Sequence, residues 1–285
     1  MRGDDGGVSA LVPHTVPAPL RPLVATAVGY RAPAYPARVH RGLPSRHLTL
    51  VVELLGPLTV RGLGETVSAH GVVGGLHTVP ALIDASRPQE GVQYALGPLG
   101  ARLLLGIPAG ELRDHAVGLE EVLGPEAARL VERMAATPHW PARFRLLDEA
   151  LLRRLAGSRW GTGWAGPAEV GEAWRLILAS EGRLPVVDVA AAVGWGRRHL
   201  GEQLRRATGL TPKEAARVAR FEHAQRLLRA RRALADVAVE AGYADQAHLA
   251  REWRALTGAS MTTWLREELP FVQDAAGPGG ARSVS

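Results

Sequence analysis

The chain has 285 residues, 46% of them hydrophobic and 22% charged, a balance that excludes wholesale disorder and collagen-like repeats and leaves room for two domains. It has no cysteine, which removes disulfide scaffolds, thiolate zinc sites, iron–sulfur clusters and cysteine nucleophiles together. The net charge of +6 is concentrated: residues 183–232 carry 12 Lys or Arg against 4 Asp or Glu, whereas residues 233–270 carry 3 against 6. A basic stripe of this kind fits a polyanionic partner, because each neutralised phosphate releases condensed counterions; a solvated helix face is the plainer reading of the run taken alone.

Residues 1–22 are punctuated by Gly and Pro without apolar periodicity and read as a flexible arm. The opening Met1-Arg-Gly-Asp-Asp-Gly-Gly has no apolar leader, and no apolar run approaches the roughly 20 residues of a membrane span, so the expected compartment is the cytoplasm. From about residue 23 to 109, short apolar runs are broken by Gly and Pro: Leu48 to Leu55, Gly71 to Ile83, and Gly91 to Leu96. Those lengths suit strands. From Leu99 onward Ala, Leu, Glu and Arg dominate, with helical spacing in Glu126 to Ala135 and Ala142 to Leu155. Residues 23–157 therefore form a β-rich domain with a helical extension. Four glycines and a proline in the eleven residues Gly157 to Pro167 mark a linker, placed at 158–167. Every run over 168–270 reads as helix, with breaks at Glu181-Gly182, Gly194, Gly209, Arg231-Arg232, Gly242 and Gly258, and 271–285 reads as a disordered tail. The fold class expected is α+β, a β-rich amino-terminal domain followed by an all-α domain.

The helical part contains an internal repeat. One copy runs Val189-Ala190, three residues, Gly194-Trp195, His199-Leu200, Leu204-Arg205 and Thr208-Gly209-Leu210-Thr211. The other runs Val237-Ala238, three residues, Gly242-Tyr243, His248-Leu249, Trp253-Arg254 and Thr257-Gly258-Ala259-Ser260. The offset is 48 before the turn and 49 after it, so the second copy has one extra residue where the turn meets its following helix. Each copy has the parts of a helix-turn-helix: a small-residue helix, a glycine able to take the left-handed conformation, and an amphipathic second helix. Leu200 and Leu204, or Leu249 and Trp253, form the stripe to be buried. The other faces carry Arg197, Arg198, Glu202, Arg205 and Arg206 in the first copy and Gln246, His248, Arg251 and Arg254 in the second. Arginine can read guanine in a major groove, glutamine adenine, and glutamate cytosine.

At these residues the chain resembles the AraC/XylS family of bacterial transcription regulators, over about 100 residues. The match is strongest at Val237-Ala-x3-Gly242-Tyr243-Ala244-Asp245-Gln246-Ala247-His248-Leu249-Ala250-Arg251-Glu252-Trp253. The resemblance implies two helix-turn-helix units joined by a long helix, here Pro212 to Arg229, whose second helices enter successive major-groove segments about 34 Å apart. It implies base-facing positions Arg198, Gly201 and Glu202 in the first unit and Gln246, Ala247, His248 and Arg251 in the second. Two departures stand out. Gly196 replaces the usual small hydroxyl residue at the start of the first reading helix, a weaker cap, and Glu202 stands where the family often has arginine. The acidic second unit suggests that the first supplies more of the affinity.

A weaker resemblance covers the first domain. His40-Arg-Gly-Leu-Pro-Ser-Arg-His47-Leu, Val73-Gly-Gly-Leu-His77 and Leu96 to Pro108 are similar to the amino-terminal domain that accompanies this unit in actinobacterial regulators. The resemblance implies a domain that senses a small molecule, dimerises, or both. The partners it implies are double-stranded DNA, RNA polymerase, a small-molecule effector and a second copy of the chain, with no membrane, and with nucleoid association following from DNA.

No metal or cofactor is expected: His40, His47 and His77 lack acidic partners at ligand spacing, and Val73-Gly-Gly-Leu-His lacks a dinucleotide-site context. No Gly-x-Ser-x-Gly elbow occurs and no catalytic residue is assigned. Trp174, Trp195 and Trp264 read as core anchors. Two rival classes stay open. One is a small-molecule enzyme whose helical part only docks it; the other is a protein-interaction module without DNA affinity. A DNA-repair alkyltransferase, which carries such a unit, would need the acceptor cysteine that this chain lacks.

Overall fold

The computed structural model describes residues 10–34, 39–158 and 166–267. The first half is built from β1 (Ala10–His14), β2 (Val24–Ala32), β3 (Val39–Gly42), β4 (Leu48–Glu53), β5 (Leu58–Arg61), β6 (Val67–Ala69), β7 (Gly71–Gly74), β8 (Ala81–Asp84), β9 (Gln89–Leu96) and β10 (Ala116–Gly118). They form two antiparallel sheets, one in the order β1-β2-β9-β4-β7-β10 and one in the order β3-β8-β5-β6. Alternation directs Leu48, Leu50 and Val52 of β4, and Val92, Tyr94 and Leu96 of β9, into a fully buried face. The opposite face, with Val51 and Val72, closes a second core against Leu58 and Val60 of the smaller sheet.

Helices cover the larger sheet: α1 (Pro98–Gly100), which runs on into a π-helical turn at Ala101–Leu105, then a 3-10 turn (Ala109–Leu112), α2 (Leu119–Leu123), α3 (Glu126–Ala135) and α4 (Trp140–Ala156). The strand expectation at Gly71 to Ile83 resolves into two strands in different sheets, β7 and β8. One reading is corrected. The arm expected to be flexible over 1–22 is ordered from residue 10: β1 pairs with β2 along its whole length, and Leu20 is fully buried in a 3-10 turn. Residues 1–9 lie outside the described residues. The two runs read as helical after Leu99 are α3 and part of α4, and before them β10 returns to pair with β7.

Buried polar networks fix α4 to the sheet. Asp148 accepts hydrogen bonds from the Tyr94 hydroxyl at 2.8 Å and is bonded to the His14 Nε2 at 2.7 Å, with the His14 ring stacked on Phe144. One turn closer to the amino terminus of α4, Arg143 pairs with Glu90, which also accepts from Arg31 at 2.6 Å. The Arg31 hydrogen bond, outweighing burial and joined by Arg143, holds the Glu90 carboxyl below the ordinary glutamate range.

The second half is helical: α5 (Ala168–Ala179), α6 (Val186–Ala192), α7 (Arg197–Thr208), α8 (Pro212–Arg229), α9 (Leu234–Glu240), α10 (Gln246–Thr257) and α11 (Met261–Glu267). The six expected breaks all fall between these helices, and α8 has the bounds read from the sequence. The architecture is thus α+β, a β-rich domain with a helical extension followed by an all-α domain. Trp174 and Trp264 are buried in it, and Trp195 packs against the core partly exposed. Most of the expected linker at 158–167 and the whole tail at 271–285 lie outside the described residues. Among the described residues no helix is long and apolar enough to cross a membrane.

Asp148→Ala strands the buried Tyr94 hydroxyl and unties β1 from α4. It should cost about 1–3 kcal/mol in urea denaturation, with Asp148→Asn, which keeps an acceptor, costing less.

Candidate nucleic-acid interface

The sequence repeat is a structural repeat down to its hydrogen bonds. α6 and α9 each end at a glycine in the left-handed conformation, Gly194 at φ 71° and Gly242 at φ 77°. The next residue's amide then folds back to the same carbonyl in each copy, Trp195 N to Ala190 O and Tyr243 N to Ala238 O, both at 2.8 Å. The second helices end alike. Thr208 donates to Leu204 O at 2.8 Å and accepts from Leu210 N at 3.1 Å; Thr257 donates to Trp253 O at 2.9 Å and accepts from Ala259 N at 3.1 Å. Val189, Leu200 and Leu204, and Val237, Leu249 and Trp253, are all fully buried.

With those stripes buried, the remaining faces of α7 and α10 point outward. Arg197, Arg198, Glu202, Arg205 and Arg206 are exposed on α7, with Gly201 half-buried between turns; Gln246, Ala247, Arg251 and Arg254 are exposed on α10, with His248 half-buried. Each expected residue thus lies on the outer surface of its helix. Arg198 and Glu202 are joined on that surface by an i,i+4 ion pair at 3.0 Å, with the Arg198 side chain 95% exposed. Such a pair is weakly held in water and can be exchanged for a base or phosphate at small cost. The two histidines share a role the sequence did not announce. His199 sits edge-on to Trp195 and His248 edge-on to Tyr243, so each braces the turn aromatic of its own unit. The His248 Nδ1 also accepts from Ala244 N at 3.3 Å.

The one-residue insertion in the second unit has a local purpose. It supplies Asp245 as the cap of α10, accepting from His248 N at 2.6 Å, whereas α7 begins at Gly196 with no side-chain cap. The joining helix α8 starts with a reciprocal capping box, Thr211 N donating to Glu214 at 2.8 Å and Glu214 N donating to the Thr211 hydroxyl at 3.2 Å. Arg217 of α8 reaches Glu252 of α10 at 2.5 Å, so part of the acidity of the second unit is neutralised within the protein.

Between the two sheets lies a cavity of about 470 Å³. Its walls are largely apolar, with His40 and His77 among them, and one side is closed by Gln225 and Arg229 from α8 and Trp264 from α11. The Gln225 Nε2 and the Arg229 Nε are buried without a hydrogen-bond partner among the described residues. Burial lowers the Arg229 pKa, with Arg226 nearby adding to the effect. His77 is buried with its Nδ1 bonded to Val79 O at 2.6 Å, and burial lowers its pKa; His47 is likewise lowered by burial. Sequence reasoning missed Gln225 and Arg229, whose significance comes from a cavity wall on another domain. Their i,i+4 spacing on one face of a long helix was the only signal available.

A helix-turn-helix domain model matches residues 189–267, which covers both units. No match among curated proteins is found at the sequence level. The structure is similar to crystal structures of ToxT from Vibrio cholerae. For the protein of strain O395 the TM-score is 0.51 at 9% identity, over 85% of this chain and 96% of that one. For ToxT of strain SCE256 with an unsaturated fatty acid bound it is 0.50 at 8% identity, over 94% and 98%. For the O395 protein bound to (E)-4-(8-methylnaphthalen-1-yl)but-3-enoic acid it is 0.52 at 9% identity, over 85% and 98%. At these identities the likeness is one of fold, and it spans both halves of the chain.

The unequal caps make a testable asymmetry. Asp245→Ala should destabilise by about 1 kcal/mol, while Gly196→Ser should gain roughly 0.3 kcal/mol, both read from urea midpoints at unchanged m-value.

Proposed function

We propose that the chain is a sequence-specific DNA-binding transcription regulator of the AraC/XylS type. The observation that carries this is the duplicated helix-turn-helix, each copy presenting an exposed second helix that bears Arg and Gln side chains. In this reading α7 and α10 enter successive major-groove segments of one DNA face. Arg198, Gly201, Glu202, Gln246, Ala247, His248 and Arg251 face base edges, and Arg197, Arg205, Arg206 and Arg254 lie toward phosphates or flanking bases. Residues 168–270 are the DNA-binding part, 158–167 the linker, and 23–157 the sensor and dimerisation part. RNA polymerase and a second copy of the chain are the protein partners the reading implies, and the cytoplasm, at the nucleoid, is its place. We assign the chain no catalytic role.

The effector belongs in the cavity between the sheets. Largely apolar walls, with Glu222, Gln225 and Arg229 at one end, suit an apolar molecule carrying one polar group, and both ToxT complexes hold ligands of that description. Because Gln225 and Arg229 come from α8, such a molecule would touch the joining helix directly and could bias the arrangement of the two units by differential affinity.

Selection of bound genomic fragments, followed by sequencing and salt titration, tests the regulator reading. A bipartite motif with half-sites about one helical turn apart and a steep loss of affinity with salt is expected. Arg198→Ala or Arg251→Ala should cost about 1–3 kcal/mol and relax specificity at one position. Unselective, salt-indifferent binding would sink it. For the effector, decanoate should raise the melting temperature of the wild type and not of Arg229→Ala, with decanol giving the smaller shift in the wild type.

A further inference from the structure

The two reading helices share a feature that neither helix explains: the carboxyl-terminal end of each lies beside the β-rich domain. At α7 the occupant is the segment 109–114. Arg113 Nη1 donates to the carbonyl of the capping residue Gly209 at 2.8 Å, and its Nη2 donates to Glu214 of the α8 capping box at 2.6 Å. Its stem fills the space beside Gly209, where an added Cβ would lie 2.6 Å from the Arg113 Cβ. Gly110 lies so close to the last turn of α7 that an added Cβ would stand 2.4 Å from the Arg206 carbonyl oxygen. A guanidinium at a helix carboxyl terminus meets both the unpaired carbonyls and the negative end of the helix dipole. One side chain therefore grips the end of α7 and the start of α8 together.

At α10 the approach is lighter: Gly258, the capping residue, stays exposed, with the Pro80 Cγ 3.3 Å from where its Cβ would be. The 109–114 segment and Pro80 belong to one hydrogen-bonded assembly. The β7–β8 loop, residues 75–80, carries Pro80 at its far end, and its near end is bonded to the segment. Asp114 N donates to Leu76 O at 3.0 Å, Thr78 N donates to Asp114 at 3.3 Å, and Gly75 N donates to His115 O at 2.9 Å. Gly75 admits no Cβ at all against the Leu112 carbonyl. Asp114, held at φ 54°, is the turn that presents Arg113 to α7.

We propose that this loop and segment form a spacing bar, which sets the separation and relative rotation of α7 and α10 by abutting both of their carboxyl-terminal caps, with Arg113 as its principal positioning residue. The use of that spacing, to select the distance between two half-sites, rests on the DNA-binding reading above. The spacing itself does not. A joining helix fixes only one route between the units; a second, from the outside, closes a triangle and removes the remaining swing about α8.

The absence of cysteine makes the measurement direct. Spin labels at Ala191→Cys and Ala255→Cys, exposed positions in the first and second unit, report their separation without DNA. A narrow distance distribution is expected for the labelled wild type. Arg113→Ala should broaden it, and Gly110→Ala, which wedges the segment away from α7, should broaden or displace it, with helical circular dichroism retained. Arg113→Lys, which keeps the charge but loses the fork that spans Gly209 and Glu214, should fall between. A second readout uses the selected bipartite site with one base pair inserted or removed, a change of roughly 3.4 Å and 35° of twist. The wild type should discriminate among the three spacings and Arg113→Ala should lose that discrimination. Distributions unchanged in both Arg113→Ala and Gly110→Ala overturn the proposal, as does a broadened distribution with spacing discrimination intact. If the wild type selects no DNA, the regulator reading fails by itself, and the label distances still decide whether the bar exists.

Discussion

The second half of the protein depends on how a helix end is closed. An α-helix leaves its last carbonyls without partners, and a chain that must turn sharply there needs a residue able to take positive φ. Gly194 and Gly242 provide the turn into each exposed helix, and Gly209 and Gly258 provide the turn out of it. Because these four turns are fixed, the buried stripes Leu200–Leu204 and Leu249–Trp253 leave the Arg- and Gln-bearing faces nowhere to go but outward. The charge of the surface follows from the geometry of its glycines.

The same closure shows why the two units differ. The core of the first unit runs without interruption into that of the β-rich domain, with Leu204, Ala207 and Leu210 in one cluster with Ala109 and Leu112. The second unit has its own cluster around Phe221, Trp253 and Trp264, with Leu43 as the partly buried contribution from the sheets. Arg113 therefore closes a helix that is already welded to the first domain, whereas Pro80 and the Arg46–Glu222 ion pair at 2.6 Å touch a body with a core of its own. Of the two units, the first is held to the β-rich domain by a shared core, and the second by contacts around a core of its own.

The helical half was legible because its information is local. Repeats 48 or 49 residues apart, 3.6-residue periodicity and Pro212 at a helix start are all visible along the chain, and α8 carries the bounds read from it. The β-rich half was legible only where runs were long and apolar, as at β4 and β9. β1 was missed because Pro13 and the surrounding glycines and prolines argue against a strand, and pairing with β2 at the sheet edge, where a proline is tolerated, is a tertiary decision. Arg113 was illegible for the same reason in stronger form. It looks like one arginine among many, and its partners Gly209 and Glu214 lie 96 and 101 residues away.

These observations also bear on how occupancy of the cavity could reach the exposed helices. Two routes leave it. One is direct, through Gln225 and Arg229 on α8, and it acts on the helix that joins the units. The other passes through His77, a cavity wall residue in the loop of residues 75–80 that backs Arg113 at one end and ends at Pro80 on the other. A ligand that shifted His77 would move both ends of that loop together, since its Nδ1 is tied to Val79 O and its neighbours to Asp114. On the effector reading proposed above, a molecule touching Gln225 and Arg229 would act on the joining helix, and one displacing His77 would act through its loop on the angle between α7 and α10.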